Sequence, residues 1–203
     1  MTTILLVRHG QTEWNRIERF RGRVDIELNS NGLIQAEKTA MRIQSHWKPA
    51  IIYSSPLKRA LQTAQAIAEM TNVQIESSPD LVDIDYGDWQ GLTPEEARLN
   101  WPDQLDAWYK HPEIALIPAG ENLLEVQSRA MSKVKAATKT YPDKIIVMVS
   151  HTVVNRLILL GIMGIGIEHF WQLRQEPCAI NIINSKEDDF FLVTMNDTCH
   201  LEP

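Results

Sequence analysis

A basic dyad, Arg8-His9, directly follows a short apolar run at residues 3–7. Because the apolar residues end where the charge begins, we expect both side chains at the carboxyl end of a buried strand, the edge where open α/β sheets bind ligands. Arginine grips phosphate or carboxylate through paired hydrogen bonds, and histidine acts as nucleophile or proton carrier near neutral pH. The dyad therefore indicates an anion held beside an imidazole, although a solvated strand end has the same pattern.

A second histidine stands in the same setting later in the chain. The most apolar predicted strand, residues 144–149, ends at Ser150-His151-Thr152 and continues into an apolar helix, residues 153–163. The carboxyl ends of parallel strands meet at one edge of a sheet. We therefore expect His151 to converge with Arg8-His9 on one crevice.

A further cation, Arg59, lies in the first turn of a helix predicted over residues 57–70. A cation is unfavourable at a helix N-terminus, whereas the free amides of that turn favour an anion. Arg59 therefore points to a bound anion nearby, with a solvent-facing side chain as the equally weighted alternative.

The elements that must position these residues alternate along the chain, which predicts a doubly wound α/β fold over residues 1–203. Two late strands, residues 178–183 and 190–195, are expected to pair antiparallel at a sheet edge. Residues 93–120, with several aromatic side chains, are predicted to form a helical cap over the sheet's carboxyl edge. The other strands are predicted at residues 3–7, 50–53, 73–76 and 144–149, and the other helices from an N-cap at Ser30-Asn31 to Trp47 and over residues 57–70, 122–141 and 153–163.

The composition limits the class of protein. A formal net charge of −6 argues against nucleic-acid binding by bulk electrostatics. The two cysteines, Cys178 and Cys199, lack metal-ligand or redox spacing, so a reduced, cytoplasmic protein is the simplest interpretation. No apolar run reaches the roughly 20 residues of a membrane span, and the start of the chain does not read as a signal peptide.

Four segments, in order, resemble the motifs of the histidine phosphatase superfamily, in its phosphoglycerate-mutase-like branch. They are Leu6-Val7-Arg8-His9-Gly10-Gln11-Thr12-Glu13-Trp14-Asn15, Ser54-Ser55-Pro56-Leu57-Lys58-Arg59-Ala60, Asp83-Ile84-Asp85-Tyr86-Gly87-Asp88-Trp89-Gln90-Gly91 and Val149-Ser150-His151. The resemblance implies a three-layer α/β/α sandwich with a mostly parallel central sheet and an antiparallel edge. It also implies phosphoryl transfer through a phosphohistidine, without a metal or other cofactor.

The resemblance assigns roles to individual residues. It implies that His9 is the nucleophile and that Asp83, where the family usually has a glutamate, is the general acid. Aspartate is one methylene shorter, so its reach to the leaving oxygen is the main departure from the pattern. The implied phosphate ligands are Arg8, Asn15, Arg59 and His151.

The cap carries one arginine, Arg98, whereas mutases of this family generally have an arginine-rich cap, so a phosphatase is favoured. Residues 149–153, 169–171 and 196–201 are similar to metal-independent phosphoserine phosphatases. This similarity implies a small phosphorylated metabolite as substrate, a homodimer, and a C-terminal tail near the active site. The alternatives are an α-ribazole phosphatase, a sugar-phosphate or broad-specificity phosphatase, a phosphoglycerate mutase, or a non-catalytic anion-binding or partner-docking protein of this fold.

Two positions depart from those phosphatases, because Tyr86 replaces a substrate-facing histidine and Arg21 replaces a glutamine. Arg21 either binds a substrate carboxylate or is a solvated loop residue, and His200 either contacts substrate or is an ordinary tail residue. The predicted substrate-binding set is Asn15, Arg21, Gly22, Tyr86, Thr152 and His200.

Overall fold

A six-stranded sheet lies at the centre of the computed structural model, which describes residues 1–17, 19–187 and 189–202. The strand order is β3-β2-β4-β1-β5-β6. The first four strands along the chain run parallel, and β5 and β6 are antiparallel additions beside β1. The predicted parallel sheet with an antiparallel edge is confirmed. The strands are β1 (Thr2–Arg8), β2 (Pro49–Ser54), β3 (Ile75–Ser77), β4 (Ile145–Ser150), β5 (Ile180–Lys186) and β6 (Asp189–Asp197).

Helices cover both faces of the sheet, so the three-layer prediction is confirmed. Successive residues of a strand point to opposite faces. Leu5 and Val7 pack toward the layer that contains α2 (Ser30–His46) and α3 (Lys58–Thr71). Ile4 and Leu6 pack toward the layer that contains α6 (Leu123–Thr140) and α7 (Thr152–Met163). Burial on both faces explains why the central strands are continuously apolar.

The start of α2 differs from the prediction by one residue. Asn29, not Ser30, is the N-cap, and its side chain accepts a hydrogen bond from the Gly32 backbone. Leu33 is exposed, and Gly32 lies on the buried side of the helix. A Cβ on Gly32 would lie 2.1 Å from the Gln11 carbonyl oxygen, so the close approach of this helix to the loop after β1 requires glycine.

The predicted cap segment contains two short helices, α4 (Pro94–Asn100) and α5 (Pro102–Lys110), followed by a 3₁₀ turn at Pro112–Ile114. Thr93 and Glu96 form a capping box at the start of α4. Leu105 and Trp108 of α5 are buried against the main core, which fixes this segment on the molecule. A second 3₁₀ segment, Ile167–Gln172, follows α7 and brings Phe170 and Trp171 against Trp108.

Short segments connect the sheet to its helices. A four-residue helix, α1 (Glu13–Arg16), follows β1, and 3₁₀ turns lie at Pro79–Leu81, Gly87–Trp89 and Cys199–Leu201. Both cysteine thiols are free, Cys178 in the interior and Cys199 at the surface. None of the helices in the described part of the chain combines the length and apolarity that crossing a bilayer requires.

Candidate active site

The carboxyl ends of β1 and β4 bring His9 and His151 together. The two strands are neighbours, with Arg8 paired to Ser150 in register. The imidazole centroids are 5.1 Å apart, and both rings are buried. Two histidines separated by most of the chain therefore share one site at the edge of the sheet.

His9 is held as a neutral imidazole with a defined tautomer. Its Nδ1 lies 2.7 Å from the carbonyl oxygen of Gly10. Because a carbonyl only accepts, Nδ1 carries the proton, and the lone pair is left on Nε2. Burial, reinforced by the positive charges of Arg59 and Arg8, lowers the pKa of His9 well below its usual range. A neutral imidazole with a free Nε2 is the form that can attack phosphorus.

His151 is oriented by a residue from the end of β2. Its Nε2 lies 2.7 Å from Ser55 Oγ, and its Nδ1 lies 3.7 Å from Asp83 Oδ2. Nδ1 is buried without a hydrogen-bond partner among the residues that the structure describes. Burial and the neighbouring Arg59 lower the pKa of His151 well below its usual range. A buried ring nitrogen without a partner suits a ligand that accepts or donates a hydrogen bond there.

The side chain of Arg59 lies entirely inside the molecule, so the solvent-facing alternative does not apply. Its guanidinium donates to the carbonyl oxygens of Val24 at 2.8 Å and Gly22 at 2.7 Å, and to Asp83 Oδ2 at 3.1 Å. Gly22 has a φ of +47°, and a Cβ there would lie 2.9 Å from the Ile84 carbonyl oxygen. Gly22 therefore contributes its carbonyl oxygen to the site from a backbone conformation that only glycine adopts without strain.

The carboxylate of Asp83 lies close to Arg59 and His151, the two groups expected to contact a phosphate. Its Oδ1 accepts from the Ile84 backbone at 3.0 Å, and its Oδ2 accepts from Arg59. The carboxylate is buried at the wall of the cleft. The shorter side chain thus still reaches the histidine–arginine cluster.

Arg129, on α6, holds the backbone on which Asp83 stands. Its guanidinium donates to the carbonyl oxygens of Asp80 at 2.8 Å and Val82 at 2.7 Å, and more weakly to that of Asp83 at 3.3 Å. It also pairs with Glu121, whose Oε2 in turn accepts from the backbone of the acidic loop. These contacts fix the course of the chain through Asp83.

Two further arginines add positive charge. Arg8 donates to the Gln175 carbonyl oxygen, while its Nε has no hydrogen-bond partner within the described residues. Arg21 donates to the Trp14 carbonyl oxygen at 3.1 Å. The charge of Arg21 contributes to the lowered pKa of Arg8, His9 and Arg59, although burial is the larger cause. Arg21 lines the same cleft as Arg8 and Asp83.

Arg8 and Asp83 of this cluster line a cleft of about 450 Å³. Asn15 lines it, and the Oδ1 of Asn15 accepts from the Thr12 backbone, which leaves the amide donors for a ligand. Thr152 lines it with an Oγ1 that lacks a partner among the described residues. The sequence-predicted residues on its wall are Arg8, Asn15, Arg21, Asp83, Tyr86 and Thr152.

His200 does not join this cluster. Its Nε2 lies 3.0 Å from Thr39 Oγ1 on α2, and its Nδ1 lies 3.3 Å from Arg42 Nη1. Burial and the charge of Arg42 lower the pKa of His200 to about 4. The tail is anchored there because Arg42 also pairs with Asp197. The structure thus places His200 on the α2 side, apart from the predicted substrate contacts.

Several residues of the site were not singled out from the sequence. Arg156 lines the cleft four residues after Thr152, a spacing that places both on one helix face and was a usable signal. Ser55 lies in the second of the four motifs, but its pairing with His151 depends on the strand order. Glu176, which also lines the cleft, and Arg129 carry no sequence pattern that separates them from surface charges.

The profile of the histidine phosphatase superfamily, branch 1, matches residues 4–198. The chain therefore belongs to this superfamily, in agreement with the resemblance of the four motifs.

Individual proteins of known name are similar over the whole chain. Phosphoserine phosphatase 1 of Hydrogenobacter thermophilus is 32% identical over 201 residues, which are 99% of this chain and 95% of that protein. The structure of YhfR from Bacillus stearothermophilus matches with a TM-score of 0.95 at 28% identity, with 100% of both chains covered. A phosphoserine phosphatase variant from Entamoeba histolytica, in complex with phosphoserine, matches with a TM-score of 0.86 at 29% identity and 100% coverage of both chains.

Proposed function

We propose that the protein is a phosphomonoesterase that hydrolyses a small phosphorylated metabolite through a phosphohistidine on His9, with phosphoserine as the best candidate substrate. One observation carries the proposal: a neutral imidazole with a free Nε2 lies in a buried cluster of guanidinium groups beside a carboxylate. Membership of the superfamily supports the reaction class. The similarity to phosphoserine phosphatases supports the substrate.

In the first step, His9 Nε2 attacks phosphorus and the bond from phosphorus to the ester oxygen breaks. Arg8 and Arg59 neutralise the charge on the other phosphate oxygens, which is the main demand of phosphoryl transfer. The neutral His151 offers its unpartnered Nδ1 for a hydrogen bond. The leaving alkoxide needs a proton, and Asp83 delivers it.

In the second step, water attacks the phosphohistidine. Asp83, now ionised, takes a proton from that water, and the bond between phosphorus and His9 Nε2 breaks to release inorganic phosphate. His9 returns to its neutral form, which the hydrogen bond from its Nδ1 to the Gly10 carbonyl oxygen keeps in the same tautomer. The same carboxylate therefore serves both half-reactions.

The cap argues for a phosphatase over a mutase. Its single arginine, Arg98, is exposed and pairs with Asp106 at 2.7 Å. It is therefore not positioned to bind a glycerate group in the cleft, whose cap residues are Pro94, Trp108 and Tyr109. The complete cluster of histidines and arginines also argues against a non-catalytic docking protein of the same fold.

The test is a substrate panel with initial-rate measurement of phosphate release. We expect kcat/KM to be highest for phosphoserine among phosphoserine, 3-phosphoglycerate, α-ribazole phosphate and p-nitrophenyl phosphate, with no loss on adding a chelator. Absence of a preference for phosphoserine overturns the substrate assignment alone. Absence of phosphate release from every ester at high enzyme concentration overturns the phosphatase assignment.

We also infer a reduced, cytoplasmic location and a homodimer. The two free thiols and the resemblance to dimeric phosphoserine phosphatases support these points. Sedimentation equilibrium at micromolar concentration tests the assembly, and a purely monomeric species would contradict it.

A further inference from the structure

Arg156 presents a charge that nothing in the described part of the chain neutralises by contact. Its Cζ lies 5.0 Å from the ring centroid of Phe170 and 5.1 Å from that of Trp171. Residues 1–17, 19–187 and 189–202 provide no hydrogen bond to its Nε and no ion pair to its guanidinium. A guanidinium stacked on aromatic rings is pre-oriented, with its donors left for a planar anion such as a carboxylate. The side chain forms part of the cleft wall.

The position of Arg156 differs from that of the phosphate ligands. Arg156 is stacked on Phe170 and Trp171, on the side of the cleft bounded by the aromatic residues. Arg156 thus marks a second anion-binding position in the cleft.

A carboxylate shares this end of the cleft. Glu176 lines the same wall, and its negative charge acts on both Arg156 and Arg8. Its backbone is fixed because the Glu176 amide donates to Asn196 Oδ1 at 2.7 Å. The side chain is exposed and free to turn toward a ligand. The cleft wall therefore carries a carboxylate, Glu176, as well as the cation Arg156.

We propose that Arg156 binds the α-carboxylate, and Glu176 the α-ammonium group, of an amino-acid phosphate monoester whose phosphate lies at His9. This inference rests on the proposed function and names the residues that determine its specificity. A substrate that carries both groups pairs with Arg156 and Glu176 at once. An ester that lacks the carboxylate leaves Arg156 without a partner, and an ester that lacks the ammonium group leaves Glu176 without a partner.

Three substrates of nearly equal size separate the two contacts. Phosphoserine carries both groups, phosphoethanolamine lacks the carboxylate, and 3-phosphoglycerate has a hydroxyl group in place of the ammonium. We expect Arg156→Met to lower the ratio of kcat/KM for phosphoserine over phosphoethanolamine by about 10- to 100-fold, the usual effect of losing a charged hydrogen bond. The ratio of two substrates cancels any general damage to the enzyme.

Glu176→Gln tests the other contact. We expect it to lower the ratio of kcat/KM for phosphoserine over 3-phosphoglycerate by about 3- to 30-fold, a smaller effect because the carboxylate is exposed. In the same variant, the ratio of kcat/KM for phosphoserine over phosphoethanolamine should change much less, since both esters carry the ammonium group. A change in the second ratio as large as in the first overturns the role of Glu176.

Matched arginine variants show whether the effect belongs to Arg156. Arg174→Met removes an exposed arginine from the same cleft, and Arg98→Met removes one from the cap outside it. We expect neither to change the phosphoserine-to-phosphoethanolamine ratio by more than about 3-fold, the limit for a screened surface charge. Arg156→Lys keeps the charge but loses the planar fork, and should lower the ratio several-fold even if Arg156→Met does not fold.

The outcomes separate this inference from the proposed function. If the wild-type enzyme prefers phosphoserine and the Arg156 variants keep that preference, the carboxylate contact is overturned while the function stands. A loss of preference in Arg174→Met instead also overturns it. If the wild-type enzyme hydrolyses all three esters equally, both the phosphoserine assignment and this subsite are wrong, and only the phosphatase activity remains.

Discussion

At the scale of single residues, the site depends on a histidine that stays neutral in a positive environment. His9 is surrounded by guanidinium groups, which disfavour its protonation, and the Gly10 carbonyl oxygen selects its tautomer. Asp83 stands opposite, close to Arg59 and His151. The proposed nucleophile, acid and anion ligands therefore lie within one buried cluster, which is the arrangement a phosphohistidine mechanism needs.

We expect His9→Ala to abolish the acid-labile phosphoenzyme and to lower kcat by at least about 10³-fold, because the group that bonds to phosphorus is removed. Rapid quench into alkali followed by mass spectrometry of the intact protein measures the adduct. Persistence of the phosphorylated species in His9→Ala would exclude His9 as the nucleophile.

Asp83→Asn should lower kcat by about 10²- to 10⁴-fold, the usual contribution of a general acid, since an amide cannot deliver the proton. The inhibition constant of inorganic phosphate should change little or tighten, because a negative charge facing the anion is removed. Asp83→Glu, which keeps the carboxyl group, is the matched control and should retain more turnover. Unchanged kcat in Asp83→Asn would remove this residue from the mechanism.

At the scale of elements, α6 fixes the backbone around Asp83. Its Arg129 donates to the carbonyl oxygens of Asp80, Val82 and Asp83 and pairs with Glu121, so the helix sets the position of the Asp83 backbone. The cap segment and the 3₁₀ segment Ile167–Gln172 close the aromatic side of the cleft, where Trp171 Nε1 donates to the Trp108 carbonyl oxygen at 2.7 Å.

Arg129→Met should lower the free energy of unfolding by about 2–4 kcal/mol, because several carbonyl oxygens and a partly buried carboxylate lose their partner. If Arg129 positions Asp83, kcat should fall at least about 10-fold with a shifted pH profile while KM changes little, and Arg129→Lys should recover part of kcat. Lys135→Met, at an exposed position of the same helix, is the control. Loss of stability with an unaltered kcat and pH profile would show a purely structural role.

At the scale of the whole molecule, several buried ionisable groups lie at the carboxyl edge of the sheet. The free energy of unfolding therefore depends on their protonation. The pKa of His9 is lowered in the fold mainly by burial, whereas the unfolded chain has the ordinary histidine value of about 6.5. Below that pH the unfolded state binds more protons than the folded state, so the free energy of unfolding falls as pH falls.

His9→Asn should therefore reduce the slope of unfolding free energy against pH, between pH 6.5 and 5, by up to about 1.4 kcal/mol per pH unit. Urea denaturation at a series of pH values, without phosphate in the buffer, measures this slope. The exposed His111 provides the control variant, His111→Asn. Equal slopes for His9→Asn and the wild-type protein would mean that the buried ring protonates freely in the fold.

The sequence by itself determined the class of fold and the cluster of Arg8, His9, Arg59 and His151, because apolar periodicity and strand-end chemistry are local properties. That residues 93–120 form a cap, and that residues 1–203 form one domain, remain predictions from the sequence. Only the tertiary structure decided that Arg21, Arg156 and Glu176 line one cleft and that His200 lies against α2. Those placements depend on how the helices and the late strands pack against the sheet. No short stretch of sequence encodes such packing, because it joins residues that are far apart in the chain.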